Sequence, residues 1–258
     1  MSKAVLSIKG VSHRFGVDGG AGVLALDHID LEVPDGQFVA IVGPSGCGKS
    51  TLLTLVAGLR QPSQGTLLCD GERISKPVPR RLGMIFQEAN LLPWLNAVDN
   101  VAFPLKLRGE PKAERRAAAR DMLALTGLTG FEDKLPHQLS GGMKQRVAIA
   151  RGLVQNPAVL LMDEPFAALD EQTRMLLGDE LLRIWSETRK TVLFVTHSLN
   201  EAVYLADRVV VLSARPGRIV DDVAVDLPRP RTFAMTSSER FGVLKDRIWQ
   251  HIRRAERV

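Results

Sequence analysis

The chain has 258 residues, of which 45% are hydrophobic and 24% charged, and carries a net charge of +5. That length and composition suit one large globular domain or two small ones with a buried core, and exclude a fibrous or disordered chain. The longest apolar runs, at residues 159–162 and 209–212, are strand-length and far short of the roughly 20 residues a membrane span needs.

In chain order, the opening MSKAVLSIKG has no long apolar segment after its lysine, so no secretory signal is expected. Residues 5–33 are β-rich, with alternating stretches such as Ile29-Asp-Leu-Glu-Val33. A buried-strand run, residues 38–42, then a glycine-rich loop and a helical run at 50–57 form a strand–loop–helix unit. Another short strand ends at Ile85-Phe86, and residues 90–155 then read as mostly helical, notably 112–125 and 142–154. Buried strands return at 159–162 and 191–195 on either side of a helix at 171–188, and a further strand lies at 208–212. This order predicts an α/β core interrupted by a helical insertion. After Pro228-Arg-Pro-Arg231 a last helix is expected, with Phe241, Leu244, Ile248 and Ile252 on one face. Residues 228–258 hold eight Lys/Arg against three Asp/Glu, and the rest of the chain is balanced. This basic tail reads as a solvated helix surface or as a segment drawn to an anionic membrane surface. The body has no basic stripe with interleaved aromatics, so no nucleic-acid partner is expected. The two cysteines, Cys47 and Cys69, lack metal-ligand spacing, which points to a reduced, cytosolic protein.

Gly43, Pro44, Ser45, Gly46, Cys47, Gly48, Lys49 and Ser50 match the G-x-x-x-x-G-K-[ST] phosphate loop, in the required strand–loop–helix setting. Glycines let the backbone wrap a phosphate with its N–H groups inward, and the following helix start adds positive potential. Lys49 can neutralise β- and γ-phosphate oxygens, and the Ser50 hydroxyl can ligate Mg²⁺. Asp163 and Glu164 end an apolar strand; beside a phosphate loop, Asp163 suits magnesium and Glu164 suits the polarisation of an attacking water. His197 follows a buried strand, where it either caps or packs locally or reaches a γ-phosphate. Ser140, Gly141 and Gly142 open the 142–154 helix, as an ordinary N-cap or as a second anion site.

The segment Leu139-Ser-Gly-Gly-Met-Lys-Gln-Arg146 resembles the signature of the ABC ATPase family, with Met143 where many members have glutamine. The resemblance covers nearly the whole chain up to about Arg231 and brings an ordered set of motifs. Phe15 resembles the adenine-stacking aromatic, although a core phenylalanine is the alternative. Gly43 to Thr51 resemble the Walker A loop and Gln87 the Q-loop glutamine, which joins Ser50 and Asp163 as a possible magnesium ligand. Asp163 and Glu164 resemble the end of Walker B, Ala168-Leu-Asp170 the D-loop, and His197 the switch histidine. The family implies a P-loop NTPase (RecA-like) α/β core with an N-terminal antiparallel β subdomain and a helical subdomain inserted at about 88–155. The ATPase domain is then 1–231 and the basic helical tail 232–258. It also implies ATP and Mg²⁺ as ligands, Glu164, His197 and Gln87 as catalytic groups, and two ATPs sandwiched head to tail between two such chains. Asp170 and Ser140–Gly142 would then serve the partner's nucleotide.

Asn90-Leu-Leu-Pro-Trp94, Asp163-Glu-Pro-Phe-Ala-Ala-Leu-Asp170, Ser213-Ala-Arg-Pro-Gly-Arg-Ile-Val220 and Asp226-Leu-Pro-Arg-Pro-Arg231 resemble the nitrate/sulfonate/taurine importer branch. That branch implies a peripheral subunit on the cytoplasmic face of the inner membrane. Its expected partners are a second ATP-binding subunit, integral membrane permease subunits and, indirectly, an extracytoplasmic substrate-binding protein. Trp94 is a permease anchor or a packing residue of the insertion. Only about fifty residues, without heptads, separate Gln87 from Ser140, which argues against a coiled-coil DNA-repair ATPase. A lipid-trafficking motor shares every catalytic motif and is the alternative.

Overall fold

The fold is that of a computed structural model describing residues 4–16 and 22–255. Residues 17–21 of the β-rich opening, the first three residues and the last three of the expected tail lie outside the described residues. Five strands and one helix come first: β1 (Ala4–Phe15), β2 (Val23–Pro34), β3 (Phe38–Val42), α1 (Lys49–Val56), β4 (Gln64–Cys69) and β5 (Glu72–Arg73). Next are β6 (Leu82–Ile85), α2 (Ala97–Leu107), α3 (Lys112–Leu125), α4 (Gly141–Leu153), β7 (Val159–Asp163) and α5 (Glu171–Thr188). The chain closes with β8 (Thr191–Val195), α6 (Leu199–Leu205), β9 (Arg208–Leu212), β10 (Ile219–Ala224) and α7 (Glu239–Ala255). They form two compact units, residues 1–78 with 189–258, and residues 79–188.

The first unit holds an antiparallel sheet in the order β2-β1-β4-β5 and, in a second sheet, the run β10-β9-β3-β8. Every residue of β3 and β8 is buried, which is why both read as continuous apolar runs rather than alternating ones. β3 pairs in parallel with β8 and β9, with Ile41 beside Val195 and Val42 beside Val211. β10, whose Ile219–Ala224 register runs antiparallel along β9, is the edge of this run. α7 buries the expected stripe of Phe241, Leu244, Ile248 and Ile252. Its polar side is tied to β10 by Arg247 Nε and Nη2, which donate to Asp221 at 3.0 and 2.9 Å. The segment between β10 and α7 is fixed by Arg231. Its buried guanidinium donates to the carbonyls of Val203, Tyr204 and Ala206 at the end of α6, and burial pushes its pKa down to about 10.

In the second unit β6 and β7 pair in parallel, and α2, α3 and α4 build their own core from Val98, Val101, Ala119, Leu123, Leu139, Val147 and Ala150. A fully buried amide, Asn100 of α2, organises the loop before that helix. Its Oδ1 accepts from Leu92 N at 2.8 Å, and its Nδ2 donates to the carbonyls of Leu92, Leu95 and Asn96 at 3.1, 2.8 and 3.1 Å. The loop so pinned holds Trp94 72% exposed, so its indole does not pack into a core. Asn100→Ala leaves Leu92 N and Leu95 O without the side-chain partner that holds them, while Leu92 O and Asn96 O keep main-chain donors. It is expected to cost roughly 2–3 kcal/mol, read as a fall of about 5–10 °C in the thermal midpoint.

Candidate active site

In the first unit three segments leave neighbouring parallel strands at their carboxyl ends. They are the phosphate loop after β3, the Thr196-His197 turn after β8, and the 213–218 segment after β9. The loop passes through left-handed turns at Gly46 (φ 72°) and Gly48 (φ 104°), conformations that cost glycine little. Gly48 occupies the N-cap position of α1, and no side chain caps that helix, so its first N–H groups are left to a phosphate rather than to a hydroxyl. Lys49 is buried at the helix start, and its ammonium donates to the carbonyls of Gly43 and Pro44, both at 3.0 Å. Cys47 lies buried beneath the loop, where burial raises its thiol pKa and keeps it unreactive. Ser50 is exposed on the first turn and Thr51 follows it, half-buried.

His197 is exposed at the tip of β8. The capping role falls to its neighbour: Ser198 Oγ accepts from Glu201 N at 3.3 Å and opens α6. Thr196 Oγ1 donates to Glu201 at 2.6 Å and accepts from Ser198 N at 2.9 Å, so the turn is clamped on both sides of the histidine. Phe15 is no core residue. It is 37% exposed at the end of β1, with His13 edge-on at 4.6 Å and the Arg60 guanidinium 5.3 Å from its ring centroid. Burial, helped by the Arg60 charge, pushes the His13 pKa down.

The second unit holds the other expected residues. Ser140 is the N-cap of α4, its Oγ accepting from Met143 N at 3.3 Å, so the local capping reading is present in the geometry. Ser140 and Gly141 are exposed, whereas Gly142 is buried. A Cβ on Gly142 would stand 2.8 Å from the Thr173 methyl, which seats the signature helix against the start of α5. That start is capped by Asp170, whose Oδ1 accepts from Thr173 N at 2.9 Å; this bond holds the Asp170 carboxyl below its ordinary range. From the same helix, α4, Gln145 Nε2 donates to Phe86 O at 3.4 Å, and Arg151 donates to the carbonyls of Ala89 and Asn90 at 2.6 and 2.8 Å. These bonds bracket exposed Gln87, so one helix carries the signature at its start and grips the Q-loop with its later turns. Asp163 ends β7, and Glu164 sits half-buried at φ 44°, a left-handed conformation costly for a glutamate and typical of residues whose placement serves chemistry.

Residues 26–167 match the ABC transporter family. The chain belongs to that family. It is 49% identical over 256 residues to an uncharacterized ABC transporter ATP-binding protein of Methanocaldococcus jannaschii, covering 97% of this chain and 95% of the relative. It is 43% identical over 249 residues to an aliphatic sulfonates import ATP-binding protein of Bacillus cereus, covering 96% of each. A dimeric ATP-binding cassette solved in a post-hydrolysis state with ADP and Pi superposes with a TM-score of 0.75 at 32% identity, covering 86% of this chain and all of that one. The chain is therefore an ABC ATP-binding subunit and an ATPase, with the α/β P-loop NTPase fold.

Sequence patterns left out the residues that hold this ABC cassette's loops in place. Gln145 and Arg151 stand in the expected helix, but only their contacts assign them a role, and burial of Arg151 pushes its pKa down. Arg215 Nε donates to Gly46 O at 2.7 Å, so the segment after β9 touches the tip of the phosphate loop. Gly217 lies under that loop, tied to β2 by Gly217 N to Ala25 O at 2.9 Å and Asp27 N to Gly217 O at 3.0 Å. A Cβ at Gly217 would collide with the Cys47 carbonyl. Gly217→Ala must therefore lift the loop at a cost of about 1–3 kcal/mol. We expect roughly tenfold weaker ATP binding by fluorescent-nucleotide titration, with an unchanged far-UV circular dichroism spectrum.

Proposed function

We propose that this ATPase energises a membrane importer for a small oxyanion-bearing nutrient of the sulfonate, nitrate or taurine kind. The observation that carries the reading is the end-to-end likeness to the Bacillus cereus sulfonate-import subunit, which spans the C-terminal 213–231 stretch as well as the catalytic motifs. The chain acts at the cytoplasmic face of the inner membrane; among the described residues no helix is long and apolar enough to cross a membrane. Permease subunits are its membrane partners, and a substrate-binding protein outside the cell selects the cargo. A groove of about 290 Å³ in the second unit, lined by Met84, Phe86, Leu92, Phe103 and Pro104, offers the permease an apolar seat close to Gln87 in sequence. Exposed Trp94 belongs to the neighbouring loop.

The residues divide the work as follows. The Gly43–Thr51 backbone wraps the phosphates, Lys49 neutralises their β and γ oxygens, and Phe15 presents a ring face to the base. Left-handed turns and an uncapped helix start are what such a cradle requires, so the residues fit the nucleotide. Ser50, Asp163 and Gln87 are the oxygen donors for Mg²⁺, which supplies charge neutralisation when bound. Glu164 accepts a proton from the attacking water, and His197 hydrogen-bonds the γ-phosphate. One chain carries one phosphate loop and one signature, so a complete site needs a second copy, whose Ser140–Gly142 and Asp170 face the first copy's nucleotide.

Two measurements test this scheme. Glu164→Gln is expected to keep ATP binding while lowering turnover by about 100-fold or more, as loss of a general base does; near-normal turnover at saturating MgATP removes Glu164 from that role. Cysteines placed at Ser45 and Ser140 should crosslink between chains when ATP is added, because the native thiols Cys47 and Cys69 are buried. A product confined within one chain overturns the sandwich. For the importer itself, the subunit reconstituted with a permease and binding protein of the sulfonate-import type should drive ATP-dependent uptake of an alkanesulfonate or nitrate into vesicles. ATPase activity answering only to lipid substrates refutes import.

A further inference from the structure

Five arginines in the C-terminal part of the first unit are each neutralised by an aspartate. Arg208 pairs with Asp222, Arg218 with Asp27, Arg229 with Asp207, Arg240 with Asp226 and Arg247 with Asp221. Arg215 and Arg254 depart from this pattern, since neither has a carboxylate partner among the described residues. Arg253 also has none, but it does not line the cleft where the other two meet. That cleft, about 390 Å³, lies between the 213–220 segment and α7 and is lined by Arg215, Arg218, His251 and Arg254 with Ser213 and Val220. The carboxylates nearest its rim are already committed: Asp27 to Arg218, and Asp221 to Arg247 and to His251 at 3.3 Å. Among the described residues the cleft therefore carries two guanidinium charges without a carboxylate partner.

Its walls are also held in place before any ligand arrives. Ser213 N donates to Arg218 O at 2.9 Å, and Ser213 Oγ accepts from Arg218 N at 2.9 Å, closing the segment into a tight turn. Gly217 staples the turn to β2, and Arg215 Nε is anchored on Gly46 O, leaving its two terminal nitrogens to other acceptors. On the opposite wall Ile248 and Ile252 lock α7 into the core and so fix the turn that bears Arg254. An anchored guanidinium at Arg215 and a second, exposed one at Arg254 on a packed helix line a small concave space and suit a group with several oxygens, because each can donate two parallel hydrogen bonds.

We propose that this cleft binds a tetrahedral oxyanion group of the phosphate or sulfonate class, held between Arg215 and Arg254. The site is separate from the phosphate loop but joined to it through the Arg215 guanidinium, and it stands whether or not the import reading does. The probe is sulfate, titrated calorimetrically into the full-length chain saturated with MgADP, at constant ionic strength with chloride as the balancing ion. The expected result is one sulfate per chain with roughly millimolar affinity, weakened about tenfold by Arg215→Gln and by Arg254→Gln. Raising MgADP further should leave that affinity unchanged, since the ion is not in the phosphate loop. Equal sulfate affinity in Arg254→Gln, or competition between MgADP and sulfate, overturns the proposal. Sedimentation with phosphatidylglycerol vesicles, against phosphatidylcholine controls, identifies the source of the group. Vesicle capture that both arginine variants reduce and sulfate competes away makes the occupant a lipid headgroup. Sulfate binding without such capture makes it a soluble ion, and neither sulfate binding nor arginine-dependent capture refutes the site.

Discussion

The parallel pairing of β3 with β8 and β9 is the constraint on which the first unit rests. Parallel strands deliver their carboxyl ends to one edge, so whatever follows each strand emerges beside whatever follows its neighbours. Ile41 lies beside Val195 and Val42 beside Val211, and one or two residues later the chain reaches Gly43, His197 and Ser213. The phosphate loop, His197 and the arginine-bearing turn are thus brought together by register, and Arg215 then bonds the loop at Gly46. The cost of this arrangement is that β3 and β8 must be buried throughout, which their all-apolar sequences meet.

Rigid support recurs wherever a functional group is exposed. His197 faces solvent from a turn clamped by Thr196, Ser198 and Glu201. Gln87 is exposed within a loop whose neighbouring carbonyls are gripped by Gln145 and Arg151. Trp94 stands out from a loop pinned by the buried amide of Asn100. In each case a different residue satisfies the main chain around the exposed side chain. The supporting residue is polar and well buried, so removing it leaves several groups without partners at once.

Several features serve a local and a functional purpose with the same atoms. Ser140 caps α4 and Asp170 caps α5, and Gly142 brings the two helix starts into contact. Such caps would exist in any stable helical unit. What marks these two is that both are exposed, adjacent, and located at the motifs the family uses across its dimer. Glu164 differs in kind. Its left-handed backbone is strained for a side chain with a Cβ.

Much of this was legible in the sequence because it depends on short-range patterns. The phosphate loop, the signature and the apolar strand before Asp163 are runs of adjacent residues, and the observed α1, α5, β8 and β9 fall where periodicity places them. The stripe Phe241, Leu244, Ile248 and Ile252 is likewise a spacing, and the helix it predicts buries those four residues. Four short elements, β4, β5, α6 and β10, lie outside those the local patterns predict. Ser198 three residues before Glu201 is the N-cap signal that marks α6. What only the tertiary structure decided joins residues far apart in the chain. Arg218 meets Asp27 across 191 positions and Arg215 meets Gly46 across 169, pairs that no local spacing encodes. Gly217 reads in sequence as an ordinary turn glycine, and its real constraint, the Cys47 carbonyl above it, comes from another strand's loop. Sequence fixes which groups exist and how each segment folds. Which arginines are neutralised and which are left to hold an anion depends on the packing that brings distant carboxylates within reach.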